Sequence, residues 1–435
     1  MRILLTGQCT LQIGRMEFGN IGNYYIIEPF VRELHRCFPG CELRTTFQMS
    51  DEFCSRENVT RLPIDLYYGW SETDTPNTLL EVGIAETFRR TRRLVHTTPY
   101  IEELMAADLV IDFSGDMWGD NADFLGENRF LLGLYKDYVA QLLGKKVAML
   151  AGSPGPFANA ETHALAREVF AGFHLVTNRE AESRVVLEQA GFPTDNVVEL
   201  SCPAFLFEPA TGPRVEQLIK REGLDRRDKP LVGFVLCGWN FPNGPFDRWP
   251  REDSDYLPFV EAVEHLTRDL GVRVCLLSHS NGFRLPAPPF DLVHGRDYPI
   301  IKQLQSILRT RGLAGDVFAL DGIYSAWDTK AIIGRFDMLV SGRVHAAVAG
   351  LSQCVPTVII DYGHEPKAHK LRGFAAVAGV EHLVADPAKP QDLTQRIDEC
   401  FSHRNAVADD LKSRIPVVQA MARRNFELIR GMFAA

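Results

Sequence analysis

The sequence predicts an α/β protein made of two Rossmann-like domains in series, each built on a parallel sheet. Three observations predict it. Short apolar runs rich in β-branched residues alternate with amphipathic stretches of helix length. The alternation starts afresh at Pro230, after a charged, Pro-marked stretch. And 435 residues exceed one ordinary core, so two domains of about 200 residues each are expected.

Taken in order, Ile3–Thr6, Leu43–Phe47, Leu109–Phe113, Val147–Ala151, Leu175–Asn178 and Val197–Ser201 read as the strands of the first domain. Leu231–Leu236, Val274–Ser278, Val317–Leu320, Met338–Ser341, Thr357–Asp361 and Leu383–Ala385 read as those of the second. Between them lie helical patterns such as Asn23–Cys37, Arg129–Leu143, Glu180–Ala190, Tyr256–Leu270, Ile300–Arg311 and Gln391–Cys400. Residues 1–210 form the first domain and 230–405 the second. Residues 406–435 form a terminal helix expected to cross back onto the first domain. Asn240–Arg251, rich in Pro, Gly and aromatics, suits an ordered loop or lid, and Ser50–Thr78 is similarly irregular.

Composition narrows the function. Hydrophobic residues make up 46% and charged residues 24%, ordinary for a soluble enzyme. The net charge of −9 argues against binding nucleic acid or anionic membrane by bulk electrostatics. The nine cysteines form no CxxC pair, and no cluster of metal ligands is evident. No apolar run is long enough to cross a membrane, and the chain opens on a strand with no signal-peptide pattern before it, so a cytoplasmic location is expected. Oligomeric state is open.

The most informative stretch is Met338–Lys367, a strand, a polar turn, a small-residue helix, a second strand and a polar end. Open α/β sheets bind ligands at the carboxyl ends of their strands. Arg343, His345 and Lys367 supply two fixed positive charges and one titratable group there, beside a helix N-terminus that itself favours anions. The pattern reads as a phosphate or carboxylate site. For Arg343 the competing role is an interdomain salt bridge; for His345, a satisfied structural imidazole; for Lys367, a solvated surface residue. His279 ends another strand of the second domain and is expected at the same cleft. Tyr362 and His364 are weaker candidates, as wall or cap. Asp112, Asp116 and Asp120 end or follow a first-domain strand, with Asp116 preferred as a base and helix capping as the alternative. Asn20 and Asn23 bind an acceptor or cap the helix that follows. Trp239, Phe241 and Trp249 stack on a sugar or plug the core.

These residues resemble the polysaccharide pyruvyl transferase family. The motif Ser341-x-Arg343-x-His345, the small-residue helix, Pro356, Tyr362 and Lys367 carry most of the likeness. Phe18–Asn23, Gly152–Pro156 and Arg179–Ser183 resemble the family's other loops, in the same order. Two stretches depart from it: Phe113-Ser114-Gly115-Asp116, where consecutive glycines are common, and Cys202-Pro203-Ala204-Phe205, where Asp often precedes the Pro.

The resemblance implies a GT-B-like fold, two Rossmann-like domains facing a cleft. It implies phosphoenolpyruvate as donor and co-substrate; no further cofactor is expected, nor a metal, since no ligand cluster is evident. The acceptor is a sugar hydroxyl pair, and the products are a pyruvate ketal and phosphate. On this reading His345, Arg343 and Asp116 are catalytic. Ser341, Arg343, Lys367, His279 and Tyr362 bind the donor, and Asn20, Asn23, Asp120 and Trp239 bind the acceptor. His345 acts as general acid or binds the leaving phosphate. The competing readings are a nucleotide-sugar glycosyltransferase of the same architecture, with Asp328 or Asp361 on the ribose, and a non-catalytic member of the fold. Thiol catalysis at Cys202 is a further alternative.

Overall fold

Two parallel sheets organise the chain, as the alternation of apolar runs and helices predicts. The computed structural model describes residues 1–8, 13–242, 248–285, 287–362 and 369–433. The chain divides into two units. The first comprises Met1–Met16, Phe30–Cys202 and the chain from Met421; the second comprises Glu17–Pro29 and Pro203–Ala420.

The first sheet contains β1 (Arg2–Thr6), β2 (Glu42–Thr45), β3 (Val59–Arg61), β4 (Leu109–Asp112), β5 (Lys146–Gly152), β6 (Leu175–Asn178) and β7 (Val197–Glu199). Their order is β3-β2-β1-β4-β5-β6-β7, so the winding reverses between β1 and β4. In the second unit come β8 (Leu231–Val235), β9 (Arg273–Leu276), β10 (Asn281–Phe283), β11 (Leu292–His294), β12 (Val317–Ala319), β13 (Met338–Ser341), β14 (Thr357–Ile360) and β15 (Val384–Ala385). The second sheet runs β12-β9-β8-β13-β14-β15, and its winding reverses between β8 and β13. Both orders are doubly wound, and ligands of such sheets sit at the reversal.

Strands covered by helices on both faces must be apolar throughout, and β4 and β13 are buried at every residue. The first core centres on Trp118, whose ring meets Phe130, Phe157, Phe170, Phe173 and Phe192 at centroid distances of 5.5 to 6.1 Å. The long terminal helix, Arg404–Gly431, ends in the first unit. There the buried Asn425 donates to Ser201 O at 3.1 Å and accepts from Thr177 Oγ1 at 2.6 Å.

Several elements differ from the sequence reading. An antiparallel hairpin, β10–β11, stands between the strands expected at 274–278 and 317–320. Ser50–Thr78 is more regular than expected: Ser50 caps a helix, Asp51–Glu57, and β3 follows. The helix expected from Ile300 starts at Asp297. The helix expected from Asn23 starts at Ile21.

Candidate functional site

The turn after β13 is fixed by its own side chains. Ser341 Oγ accepts from Arg343 N–H at 3.3 Å and donates to Arg343 O at 2.9 Å, steering the chain into the helix Val344–Leu351. Gly342 N–H reaches across the reversal to Val235 O at 2.7 Å. The buried Asn240 ties three strand ends together: its amide donates to Gly342 O at 3.1 Å and Ile360 O at 3.3 Å, and accepts from Cys237 N–H at 2.8 Å. A Cβ on Gly342 would fall 2.0 Å from Asn240 Oδ1, which accounts for a glycine there. Asn240 thus begins the segment read as a loop or lid but is itself a buried tie.

Arg343 is the N-cap residue of that helix. Its Nε donates to Asp297 Oδ2 at 3.0 Å and its Nη2 donates to Asp297 Oδ1. Asp297, fully buried, opens the helix Asp297–Thr310, and its N–H donates to Ser280 Oγ at 3.1 Å. Burial alone would lower the guanidinium's pKa; the Asp297 carboxylate outweighs burial and raises it above its ordinary value. The salt bridge weighed as an alternative for Arg343 therefore exists, but within the second unit. It occupies one edge of the guanidinium. The first helical bond runs from Ala347 N–H to Arg343 O at 2.9 Å, so the positive end of the helix dipole lies at Arg343.

His345 is the second residue of the helix and half-buried. Its ring lies edge-on to Phe374, at 5.9 Å and 79°. Against it lies Gly22, where a Cβ would come within 2.6 Å of His345 Nδ1. Gly22 N–H donates to Asn20 Oδ1 at 3.0 Å, and Asn20 Nδ2 donates to Asn23 Oδ1 at 3.3 Å. Asn20 therefore caps the helix Ile21–Cys37, and its backbone bridges Ser280. The sequence reading put Asn20 and Asn23 on an acceptor domain apart from His345; they belong to the same unit.

His279 is buried, and its Nε2 has no hydrogen-bond partner among the described residues. Burial, with the Arg343 charge, lowers its pKa to about 3, so the ring is neutral at working pH. Its edge meets the Tyr25 ring at 5.4 Å, and the Tyr25 hydroxyl is likewise buried without a partner. Such groups call for a ligand or an ordered water. Tyr362, buried, donates its N–H to Asp361 Oδ1 at 2.7 Å, and its ring lies 6.1 Å from that of the half-buried Trp239. His364 and Lys367 lie outside the described residues.

The first unit gathers the other candidates at its own reversal. Asp112 ends β4 fully buried and accepts Ser114 N–H and Ser114 Oγ–H, each at 2.8 Å. Burial pushes its carboxyl up to about 7 against those hydrogen bonds. Asp116 Oδ1 lies 3.7 Å from Nη2 of the buried Arg179. Arg179 Nε donates to Ser153 Oγ at 2.8 Å, and Ser153 Oγ donates to Glu180 at 2.8 Å. The Gly-Pro loop, the Arg-Glu segment and the Asp116 turn, singled out separately in the sequence, therefore form one network. Asp120 accepts the N–H groups of Ala158 and Asn159 just before the helix Ala160–Ala171, whose N-cap is Asn159 itself.

Sequence reasoning missed Asp297 and the structural role of Asn240. A signal for Asp297 existed: an acidic residue in the first turn, which a helix started at Ile300 leaves in a loop. Among the described residues no group of three or more His, Cys, Asp or Glu could hold a metal ion. No helix among them is long and apolar enough to cross a membrane.

The family model for polysaccharide pyruvyl transferase matches residues 20–364. The chain belongs to that family. Its span opens at Asn20, the cap beside His345, and covers both sheet reversals. The amylovoran biosynthesis protein AmsJ of Erwinia amylovora is 26% identical over 401 residues, covering 89% of this chain and 88% of that protein. Solved structures share the fold at low identity. A glycosyltransferase from Rickettsia africae superposes with a TM-score of 0.58 at 12% identity, over 100% of this chain and 98% of that one. HepE of Anabaena, in complex with UDP, gives 0.56 at 13% identity, over 100% and 98%. The UDP-GlcNAc 2-epimerase of Methanocaldococcus jannaschii gives 0.56 at 11% identity, over 100% of each chain. The fold is thus GT-B-like, and family membership makes the chain a transferase of polysaccharide biosynthesis.

Proposed function

We propose that this pyruvyl transferase family member moves a pyruvyl group from phosphoenolpyruvate to two hydroxyls of a sugar, releasing phosphate. The observation that supports it best is the convergence, in one unit, of the Arg343–His345 helix start and His279 Nε2, which has no hydrogen-bond partner among the described residues. Phosphoenolpyruvate carries two anionic groups. The positive end of the helix dipole and the edge of Arg343 that Asp297 does not occupy suit one, and Lys367, which the family likeness brings in, suits the other. His279, neutral and buried, acts as a hydrogen-bond partner and not as a charge.

In the proposed reaction the methylene carbon of the enol phosphate takes a proton and one sugar hydroxyl adds at C2. The C–O bond to phosphate breaks with its electrons going to phosphate, and the second hydroxyl closes the ketal. The two hydroxyls lose two protons; one balances the proton taken by carbon and the other leaves with phosphate. His345, half-buried with its ring oriented by Gly22 and Phe374, is assigned the carbon protonation.

The test is phosphate release from phosphoenolpyruvate over a panel of methyl hexopyranosides and UDP-hexoses. Release is expected only when an acceptor is present, and none from His345→Ala. Binding of a UDP-hexose as donor, with phosphoenolpyruvate inert, would replace the reading by nucleotide-sugar transfer.

A further inference from the structure

The hairpin β10–β11 is an addition that a doubly wound sheet does not need, since short loops ordinarily carry a strand into its helix. Here the chain leaves at Ser280, builds the hairpin and returns at Gly295. Both feet stand in the site just described. Ser280 bridges Asn20 and accepts the Asp297 N–H at 3.1 Å. A Cβ on Gly295 would lie 2.5 Å from the Ser280 carbonyl carbon, so the two feet touch.

The hairpin carries aromatic rings onto the segment that precedes Asn20. Phe283 and Phe290 meet edge to face at 5.5 Å, and Phe18 packs on Phe290 at 4.6 Å. All three are half-buried. Phe18 also stands just before Asn20 in sequence, and Gly22, which follows Asn20, is pressed against His345. Partly exposed rings thus gather at Phe18, two residues before Asn20 along the chain, and Gly22, two residues after Asn20, meets the imidazole. A pyranose has this two-sided chemistry: its C–H face packs on aromatic rings, and its hydroxyls bond amides.

We propose that Phe18, Phe283 and Phe290 form the platform on which a hexopyranose of the acceptor glycan lies, an assignment that rests on the transferase reading above. Continuity with the His345 site favours a sugar over an apolar protein partner, because one foot of the hairpin, Ser280, holds both Asp297 and Asn20.

Saturation-transfer NMR tests it, with methyl β-D-galactopyranoside, methyl β-D-glucopyranoside and methyl α-D-mannopyranoside as probes. Ring C–H protons of at least one probe should be saturated by the wild-type protein. The signal should fall at least fivefold in Phe18→Ala/Phe290→Ala and survive in Phe290→Tyr. The thermal shift given by phosphoenolpyruvate should persist in the double variant, which separates a failed platform from a failed donor reading. No saturation with the wild type overturns the platform, as does an equal signal in a double variant with unchanged circular dichroism. Self-association lost in that variant without any sugar signal would assign the rings to a contact between copies and overturn it too.

Discussion

At the reversal of the first sheet the chain buries carboxylates; at the reversal of the second it buries a cation with its counter-ion and a neutral imidazole. In the first, Asp112 sits in a dry strand end, and its charge helps burial push the carboxyl of Asp137 well above its ordinary value. In the second, Arg343 is paired with Asp297, and His279 is stripped of its proton. The backbone position is the same and the chemistry opposite, so topology marks where a ligand binds and side chains decide which one. Motif residues at a strand end have first to build their own turn. Ser341, Gly342 and Arg343 do so through the Ser341 hydroxyl and the Gly342 N–H.

The largest effect that would break the comparison is loss of one partner in the buried pair. Arg343→Ala should cost about 3–5 kcal/mol, because Asp297 is left charged and buried. Asp297→Ala in the same chain should restore most of it. Denaturant unfolding of both single variants and the double measures the coupling, and simple additivity would mean that the pair is not formed. Loss of activity in Arg343→Ala alone is consequently poor evidence for a binding role; Arg343→Lys, which keeps a cation on Asp297, is the sharper variant.

Next comes pH, where the two regions should move in opposite directions. His279 has its pKa lowered in the folded state from 6.5 to about 3, so the unfolded chain binds the proton first. Stability from this group is full above about pH 6.5 and is lost as pH falls towards 3, by on the order of 2–4 kcal/mol. Asp112 has its pKa raised from 3.8 to about 7, so the folded state holds the proton longer. Stability from it is full below about pH 4 and is lost as pH rises towards 7, by a similar order of magnitude. Unfolding of His279→Gln and Asp112→Asn across this range should flatten the acid and neutral limbs respectively. If both variants keep the wild-type profile, the groups are solvated and the contrast fails.

Gly22→Ala sharpens the contrast at lower cost. The added methyl meets the His345 ring, for about 1–3 kcal/mol of strain. Transfer activity should fall much further than stability, since the ring must move; equal activity would remove His345's orientation from the mechanism. The smallest effect is expected at Asp120→Ala, about 1 kcal/mol from the lost hydrogen bonds to Ala158 and Asn159. A large rise in the acceptor KM with unchanged thermal stability would instead give Asp120 a binding role.

Much of this was legible in the sequence. The strands at Leu109, Val147, Leu231 and Met338 announced themselves because a strand buried on both faces must be continuously apolar. The Ser341–His345 turn was legible because polar residues between an apolar strand and a small-residue helix have few other uses. Asp297 was not, because the partner of a buried arginine is chosen by tertiary packing across 46 residues. Gly22 was seen as part of a loop motif, but its reason, a ring arriving from the second sheet, is written in no local pattern. The hairpin was hidden for a similar cause: three-residue strands with Asn, Gly and Phe carry too short a period to separate from a turn.

The central claim is that the helix start at Arg343–His345 is built for the donor's anions. Calorimetric titration with phosphoenolpyruvate, on the wild type, His345→Ala and Arg343→Lys, tests it most directly. Saturable one-to-one binding to the wild type, weakened at least tenfold in both variants while their unfolding temperatures hold, is the predicted result. Unchanged phosphoenolpyruvate binding in both variants, or tight binding of UDP with none of phosphoenolpyruvate, would contradict it.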